Sequence, residues 1–179
     1  GSGFFNRETI SNLLPGKYSV METSGDSWYI DSVRCSDGSI YGGMDLDIDL
    51  SAGENVTCTF TNKQKGKIIV QKQTNPDGST ETFEFDPSWS ASNFSLKDEQ
   101  SYNSGYLVPG NYSVAENSKN DWTLSNVICD DGSSPSNISL QSGETVTCTF
   151  TNTIDTGSVT VTKFNDANQD GIYNDAESV

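Results

Sequence analysis

Apolar and polar residues alternate in short runs along most of this chain. In Val146-Thr147-Cys148-Thr149-Phe150-Thr151 the apolar side chains share one parity and the threonines the other. Successive side chains of a strand point to opposite faces, so this pattern predicts a strand with one face on a core and one toward water. The runs are separated by Gly, Pro, Asn and Asp, which favour turns. No segment of useful length carries the 3.6-residue period of an amphipathic helix. An all-β chain is expected.

The pattern is also duplicated. Pro15-Gly16-Lys17-Tyr18-Ser19-Val20-Met21-Glu22 returns as Pro109-Gly110-Asn111-Tyr112-Ser113-Val114-Ala115-Glu116, and each copy is followed by a tryptophan, Trp28 or Trp122. Gly53-Glu54-Asn55-Val56-Thr57-Cys58 returns as Gly143-Glu144-Thr145-Val146-Thr147-Cys148, and Gly66-Lys67-Ile68-Ile69-Val70-Gln71-Lys72 as Gly157-Ser158-Val159-Thr160-Val161-Thr162-Lys163. The period is about 91 residues, one sandwich of about seven strands. The expected architecture is tandem antiparallel β-sandwiches. Residues 1–65 form the C-terminal part of a first repeat and residues 66–156 a complete second one. Residues 157–179 open a further repeat. An incomplete sandwich exposes a sheet edge, so the terminal parts are expected to be completed by a neighbouring segment or chain: either the chain is an excerpt from a longer array, or one copy's tail completes the next copy's head by strand addition. Roughly one further strand is missing at such a join.

The chain has 179 residues, a formal net charge of −15, no histidine and four cysteines. So acidic a surface repels phosphate backbones and anionic membranes, which argues against nucleic acid or lipid partners. No apolar run approaches the roughly 20 residues of a membrane span, and no signal peptide is visible. Without histidine there is no histidine-based triad or helical zinc motif, and no phosphate-binding glycine loop occurs. Carboxylates abound, but nothing places two of them across a cleft. An enzyme is not expected.

Four cysteines allow three pairings, and their duplicated context favours Cys35–Cys58 with Cys129–Cys148. Each disulfide would contribute about 3 kcal/mol on the chain-entropy account and implies an oxidising, extracellular setting. Glycosylation sequons at Asn55, Asn93, Asn111 and Asn137 agree with that setting. Residues 166–177 match the 12-residue calcium loop: Asp166, Asn168, Asp170 and Asn174 supply side-chain oxygens, Ile172 its carbonyl and Glu177 a bidentate carboxylate, with Gly171 at the sharp turn. A structural Ca2+ is expected there. The corresponding stretch of the second repeat, Asn75-Pro76-Asp77-Gly78-Ser79, is a plain turn.

Tyr-x-Val-x-Glu after Pro-Gly, then a tryptophan, then Cys-x-Asp-Gly, and finally Gly-Glu-x-Val-Thr-Cys-Thr-Phe-Thr-Asn resembles the prealbumin-like domains of prokaryotic surface proteins, relatives of collagen-adhesin B-type and SpaA-like pilin modules. The calcium loop, preceded by a strand rather than a helix, resembles that of serine-aspartate-repeat B modules. The resemblance implies a transthyretin-like sandwich acting as stalk, spacer or fibre. It also implies an isopeptide bond between an opening-strand lysine and an asparagine on the last strand, assisted by an acidic residue. The matching positions are Lys72, Asn152 and Glu116, and, for a split repeat, Lys163 with Asn62 and Glu22. Parity agrees: Lys72 follows Ile68 and Val70 on one face, Asn152 follows Cys148 and Phe150, and Glu116 follows Tyr112 and Val114. The competing reading has these residues rimming the core, with the lysine stem reaching solvent.

The function expected is therefore a structural repeat of an extracellular, cell-surface fibre, stalk or surface layer. It is joined head-to-tail to copies of itself or to adjacent repeats, and its only chemistry is single-turnover isopeptide formation. The alternative is an adhesin-type module gripping a glycan or host protein through Trp28, Tyr29, Tyr41 or Trp89. Trp89 and Tyr41, which have no repeat counterpart, are the better candidates of the four.

Overall fold

The computed structural model describes residues 7–39, 45–161, 163 and 171. Four strands come first: β1 (Gly16–Val20), β2 (Trp28–Cys35), β3 (Leu46–Leu50) and β4 (Cys58–Gln64). Nine more follow: β5 (Lys67–Asn75), β6 (Phe83–Pro87), β7 (Phe94–Leu96), β8 (Ser101–Asn103), β9 (Gly110–Tyr112), β10 (Val114–Glu116), β11 (Trp122–Cys129), β12 (Ile138–Leu140) and β13 (Thr145–Ile154).

In the second unit β11, β13, β5 and β8 form one sheet in that order, β10, β6 and β7 another, and β9 pairs with β12. Nine strands appear where about seven were expected. One reason lies at Ser113. The apolar alternation from Tyr112 through Val114 to Glu116 reads as one strand, but the Ser113 N–H donates to Ser88 Oγ and its carbonyl accepts from the Ser88 N–H. The run therefore divides, β9 joining β12 and β10 joining β6. A second departure is the pairing of β5 with β13, the first and last strands of the unit. It is parallel, with Val70 opposite Cys148 and Lys72 opposite Phe150, whereas every other ladder among the described residues is antiparallel. Parallel neighbours need a long crossover, and here the intervening strands supply it.

The period-two pattern is realised as burial. Along β5, Ile68, Val70, Lys72 and Thr74 face inward, and along β13 Val146, Cys148, Phe150 and Asn152 do so. The apolar members pack with Phe83, Phe85, Leu96, Val114, Cys129, Ile138 and Leu140 into one core. Phe85 meets Phe150 edge-on at 5.2 Å and stacks on Phe94 at 5.2 Å, geometries that add to simple burial. Gly66 enters this unit under tight constraint. A Cβ there would meet Leu140 Cγ at 2.8 Å and the Glu144 carbonyl at 2.9 Å, so the position needs close approach rather than an unusual backbone angle.

The first unit repeats much of the second, although β1 stays paired with β3 through Val20 where the second unit's run divides at Ser113. β2 pairs with β4 in the register of β11 with β13, and an irregularity falls at the same place, between Ile30 and Ser32 in one and between Leu124 and Asn126 in the other. β1 pairs with β3 as β9 does with β12. Tyr18 Oη donates to the Leu14 carbonyl at 2.6 Å, as Tyr112 Oη does to Val108 at 2.7 Å. The disulfides join directly opposed residues, Cys35 with Cys58 and Cys129 with Cys148. Among the described residues the first unit has no counterpart of β5, β6 or β7.

Candidate functional site

Lys72 and Asn152 reach the site from adjacent strands of one sheet, and Glu116 faces them from the other. β10 carries Glu116 opposite Phe85 of β6, so the carboxyl spans the inter-sheet space. All three side chains are buried: Lys72 is 0% exposed, Asn152 2% and the Glu116 side chain 2%. That rules out the rim reading, in which the lysine stem would reach water.

Lys72 Nζ donates to Asn152 Oδ1 at 2.8 Å. The Asn152 Nδ2 donates to Glu116 Oε1 at 2.6 Å, and Glu116 Oε2 stands 3.9 Å from Nζ. The carboxyl thus lies across both nitrogens, with one oxygen toward the amine and one toward the amide nitrogen. Nζ has two further acceptors, the carbonyls of Gln73 at 2.6 Å and Phe150 at 3.3 Å. It sits 4.2 Å from the centre of the Phe83 ring, and that ring in turn meets Trp122 edge-on at 5.4 Å.

Burial decides the ionisation of the pair. It pushes the Lys72 amine below its ordinary range, against the pull of Glu116 and Asp98. It pushes the Glu116 carboxyl up, against the lysine charge and the hydrogen bond from Asn152. Both shifts favour moving a proton from lysine to glutamate, leaving a neutral amine beside a protonated acid and next to a carboxamide. Those are the three groups that amide exchange requires.

In the first unit the counterparts Asn62 and Glu22 are also joined, Asn62 Nδ2 donating to Glu22 Oε1 at 2.5 Å. Among the described residues, Asn62 Oδ1 and Glu22 Oε2 are buried without a hydrogen-bond partner. Lys163 is exposed and is not brought to them.

The remaining sequence candidates divide. Asn55, Asn93, Asn111 and Asn137 are all exposed. Gly171 takes φ 77°, the left-handed turn expected of its place in the calcium loop, while Asp166, Asn168, Asp170, Ile172, Asn174 and Glu177 lie outside the described residues. Tyr41 lies outside them as well. Trp89 is not a free platform. It is half-buried against the core, edge-on to Tyr112 at 6.3 Å, with its indole N–H buried. Trp28 is 45% exposed and Tyr29 half-buried. The carbonyl cradle of Gln73 and Phe150 and the Phe83 ring were not foreseen. Backbone groups carry no sequence signature, and Phe83 reads as ordinary core.

Two stretches of the chain, residues 20–64 and 68–154, match family models that are both described as a prealbumin-like fold domain. Among solved structures, it is similar to the major pilin protein (T-13) from Streptococcus pyogenes, at 16% identity and a TM-score of 0.40, over 82% of this chain and 69% of that one. It is likewise similar to the major pilin from Streptococcus pyogenes, at 15% identity and a TM-score of 0.41, over 82% and 73% of the two chains. A comparison with curated proteins returns no match.

An Asn152→Ala chain cannot form the amide and keeps both partners titratable. Glu116 then holds its proton in the fold where the unfolded chain, at the ordinary value of 4.5, has lost it, so stability falls as pH climbs through that window. Lys72 is neutral in the fold where the unfolded chain, at 10.5, is still protonated, so stability recovers as pH rises toward that value. Denaturant midpoints are expected to trace a trough, which adding Lys72→Met and Glu116→Gln removes. A flat profile for Asn152→Ala contradicts this assignment.

Proposed function

The chain belongs to the prealbumin-like fold domains, and on that premise we propose that it is a non-enzymatic structural module of an extracellular, cell-surface fibre or stalk, whose second unit is closed by an amide bond between Lys72 and Asn152. The single observation that carries this reading is the buried Lys72–Asn152–Glu116 arrangement.

The bond would form in the folded chain. With its proton held by Glu116, the Lys72 amine attacks Cγ of Asn152 and a tetrahedral centre forms. One amine proton passes to Glu116 Oε2 while the carboxyl proton goes to Nδ2, and the Cγ–Nδ2 bond breaks to release ammonia. The net exchange is amine plus primary amide for secondary amide plus ammonia, with the carboxyl returned to its starting state. The reaction happens once per site and has no external substrate. Its product ties the first strand of the unit to the last, as a load-bearing module requires.

Modules of this kind act in series, and the reading includes head-to-tail joining of units through β-strand addition. It also includes a structural Ca2+ in the loop 166–177, supported by the loop pattern and by the backbone turn at Gly171. The ion would stiffen the segment that follows the second unit.

Two measurements test these parts separately. The intact mass of reduced, denatured monomer is expected to fall below the sequence mass by one ammonia, and Glu116→Ala is expected to restore the full mass. An unshifted wild-type mass contradicts the bond. Calorimetric titration with Ca2+ is expected to show one site per chain that Glu177→Ala abolishes, and absence of binding to the wild-type chain contradicts the calcium assignment.

A further inference from the structure

β4 ends at Gln64 and β5 begins at Lys67, so only Lys65 and Gly66 separate the first unit from the second. Among the described residues no sheet contains strands of both units, so no ladder ties one to the other. Units joined in this way ordinarily move relative to one another. Here the joint is hydrogen-bonded at every residue. The Gln64 carbonyl accepts from Ser142 Oγ at 2.9 Å and from the Gly143 N–H at 3.2 Å. The Lys65 N–H donates back into the first unit, to the Ser27 carbonyl at 2.8 Å. Gly66 exchanges both its backbone groups with Leu107, each at 2.9 Å, and the Lys67 N–H donates to the Glu144 carbonyl at 2.9 Å.

The two donors to Gln64 belong to the turn Gln141–Glu144, which directly precedes β13. That turn closes through its own groups: the Gln141 N–H donates to Glu144 Oε2 at 2.6 Å and the Glu144 N–H to the Gln141 carbonyl at 3.3 Å. The matching turn of the first unit, Ser51–Glu54, closes in the same way at 2.8 and 3.2 Å, and Gly53 takes φ 75° against 73° at Gly143. It does so with Ala52 where the second unit has Ser142. The hydroxyl is therefore not needed to build the turn, and its hydrogen bond goes to Gln64. Gly143 contributes by lacking a side chain. A Cβ there would lie 2.8 Å from Gln64 Oε1 and 3.4 Å from Gln64 Cδ, so the bare Cα lets the glutamine lie across the turn.

We propose that the Gln141–Glu144 turn is a seat for the end of the preceding unit's last strand, and that the clasp of Ser142 and Gly143 on Gln64 holds the two units at one fixed angle. The partner this seat fits is a strand end of the adjoining unit that presents a carbonyl and an unbranched polar side chain. Gln64 is then anchored to the approach to β13 while the chain itself runs on into β5. The end of β4 is thus fastened beside both strands that carry the second unit's parallel ladder, and the joint resists bending. A loose joint would pass tension through Lys65 and Gly66 alone and leave the angle free. The clasp is independent of the Lys72–Asn152 bond, since it uses none of the same groups.

The test records amide residual dipolar couplings of the full chain in a weakly aligning medium, fitted separately for β1–β4 and for β5–β13. Wild type is expected to return one alignment tensor for both units. A flexible Gly-Ser-Gly-Ser insertion between Lys65 and Gly66 should free the joint and lower the first unit's alignment relative to the second's at least twofold. Ser142→Ala, which Ala52 shows the turn accepts, should move the first unit at least halfway to that loose limit. Ser142→Thr, which keeps the hydroxyl, should retain the common tensor. Amide exchange reads the seat itself: in wild type the Gly143 N–H is expected to exchange at least tenfold more slowly than the Gly53 N–H of the matching turn, and the insertion should shrink that difference. Wild-type units that align with different magnitudes overturn the proposal. So does a common tensor kept by Ser142→Ala or by the insertion, because something other than the clasp would then hold the units. A Gly143 amide that exchanges as fast as that of Gly53 overturns the seat directly.

Discussion

The parallel pairing of β5 with β13 is the constraint on which the rest of the second unit depends. It brings the first and last strands of the unit side by side, so that Ile68, Val70 and Lys72 run in step with Val146, Cys148 and Phe150. Eight of the buried side chains come from these two strands and stay inside the sandwich only while the ladder holds. The same pairing sets Lys72 beside Asn152, and the opposing sheet needs only to deliver one carboxyl between them. Tension on the chain enters β5 at one end and leaves β13 at the other, which loads the ladder in shear. An amide between Lys72 and Asn152 would carry that load and relieve residues 73–151 of it.

β13 is held on both flanks by different chemistry. Cys148 ties it to Cys129 of β11 toward its start, and the Lys72 site lies toward its end on the β5 side. The disulfide closes only a local loop, whereas the lysine site bridges nearly the whole unit, so the two staples are not redundant. Dry surroundings give the lysine site its character. A lysine and a glutamate in contact with water would remain an ordinary ion pair, worth little to stability. Burial beside Phe83 removes the solvation that favours their charged forms and turns the pair toward neutral, reactive partners.

Much of this was legible in the sequence because strand parity survives folding. Polar residues at Lys72, Asn152 and Glu116 occupy positions where the alternation calls for core, and the structure buries all three. The repeat located the disulfide partners for the same reason, since Cys35 and Cys129 recur in one context and Cys58 and Cys148 in another. Other features were hidden. The parallel sense of β5 against β13 depends on a crossover of more than 60 residues, which no local pattern encodes. The division of the Tyr112–Glu116 run depends on a hydrogen-bond exchange with Ser88. Trp89 looked like an isolated surface aromatic because it has no repeat counterpart, yet Tyr112 and the core take up its face. The enclosed oxygen of Asn62 likewise depends on how Asn62 and Glu22 pack, which the repeat pattern does not encode.

The central claim is that the second unit binds its first strand to its last covalently, through groups that burial has made reactive. Peptide mapping of the reduced, proteolysed protein tests it most directly. The account predicts a branched peptide in which the segment carrying Lys72 is joined to the segment carrying Asn152, with Lys72 resistant to cleavage. Recovery of the two segments only as separate linear peptides, with Asn152 an intact asparagine, would contradict it.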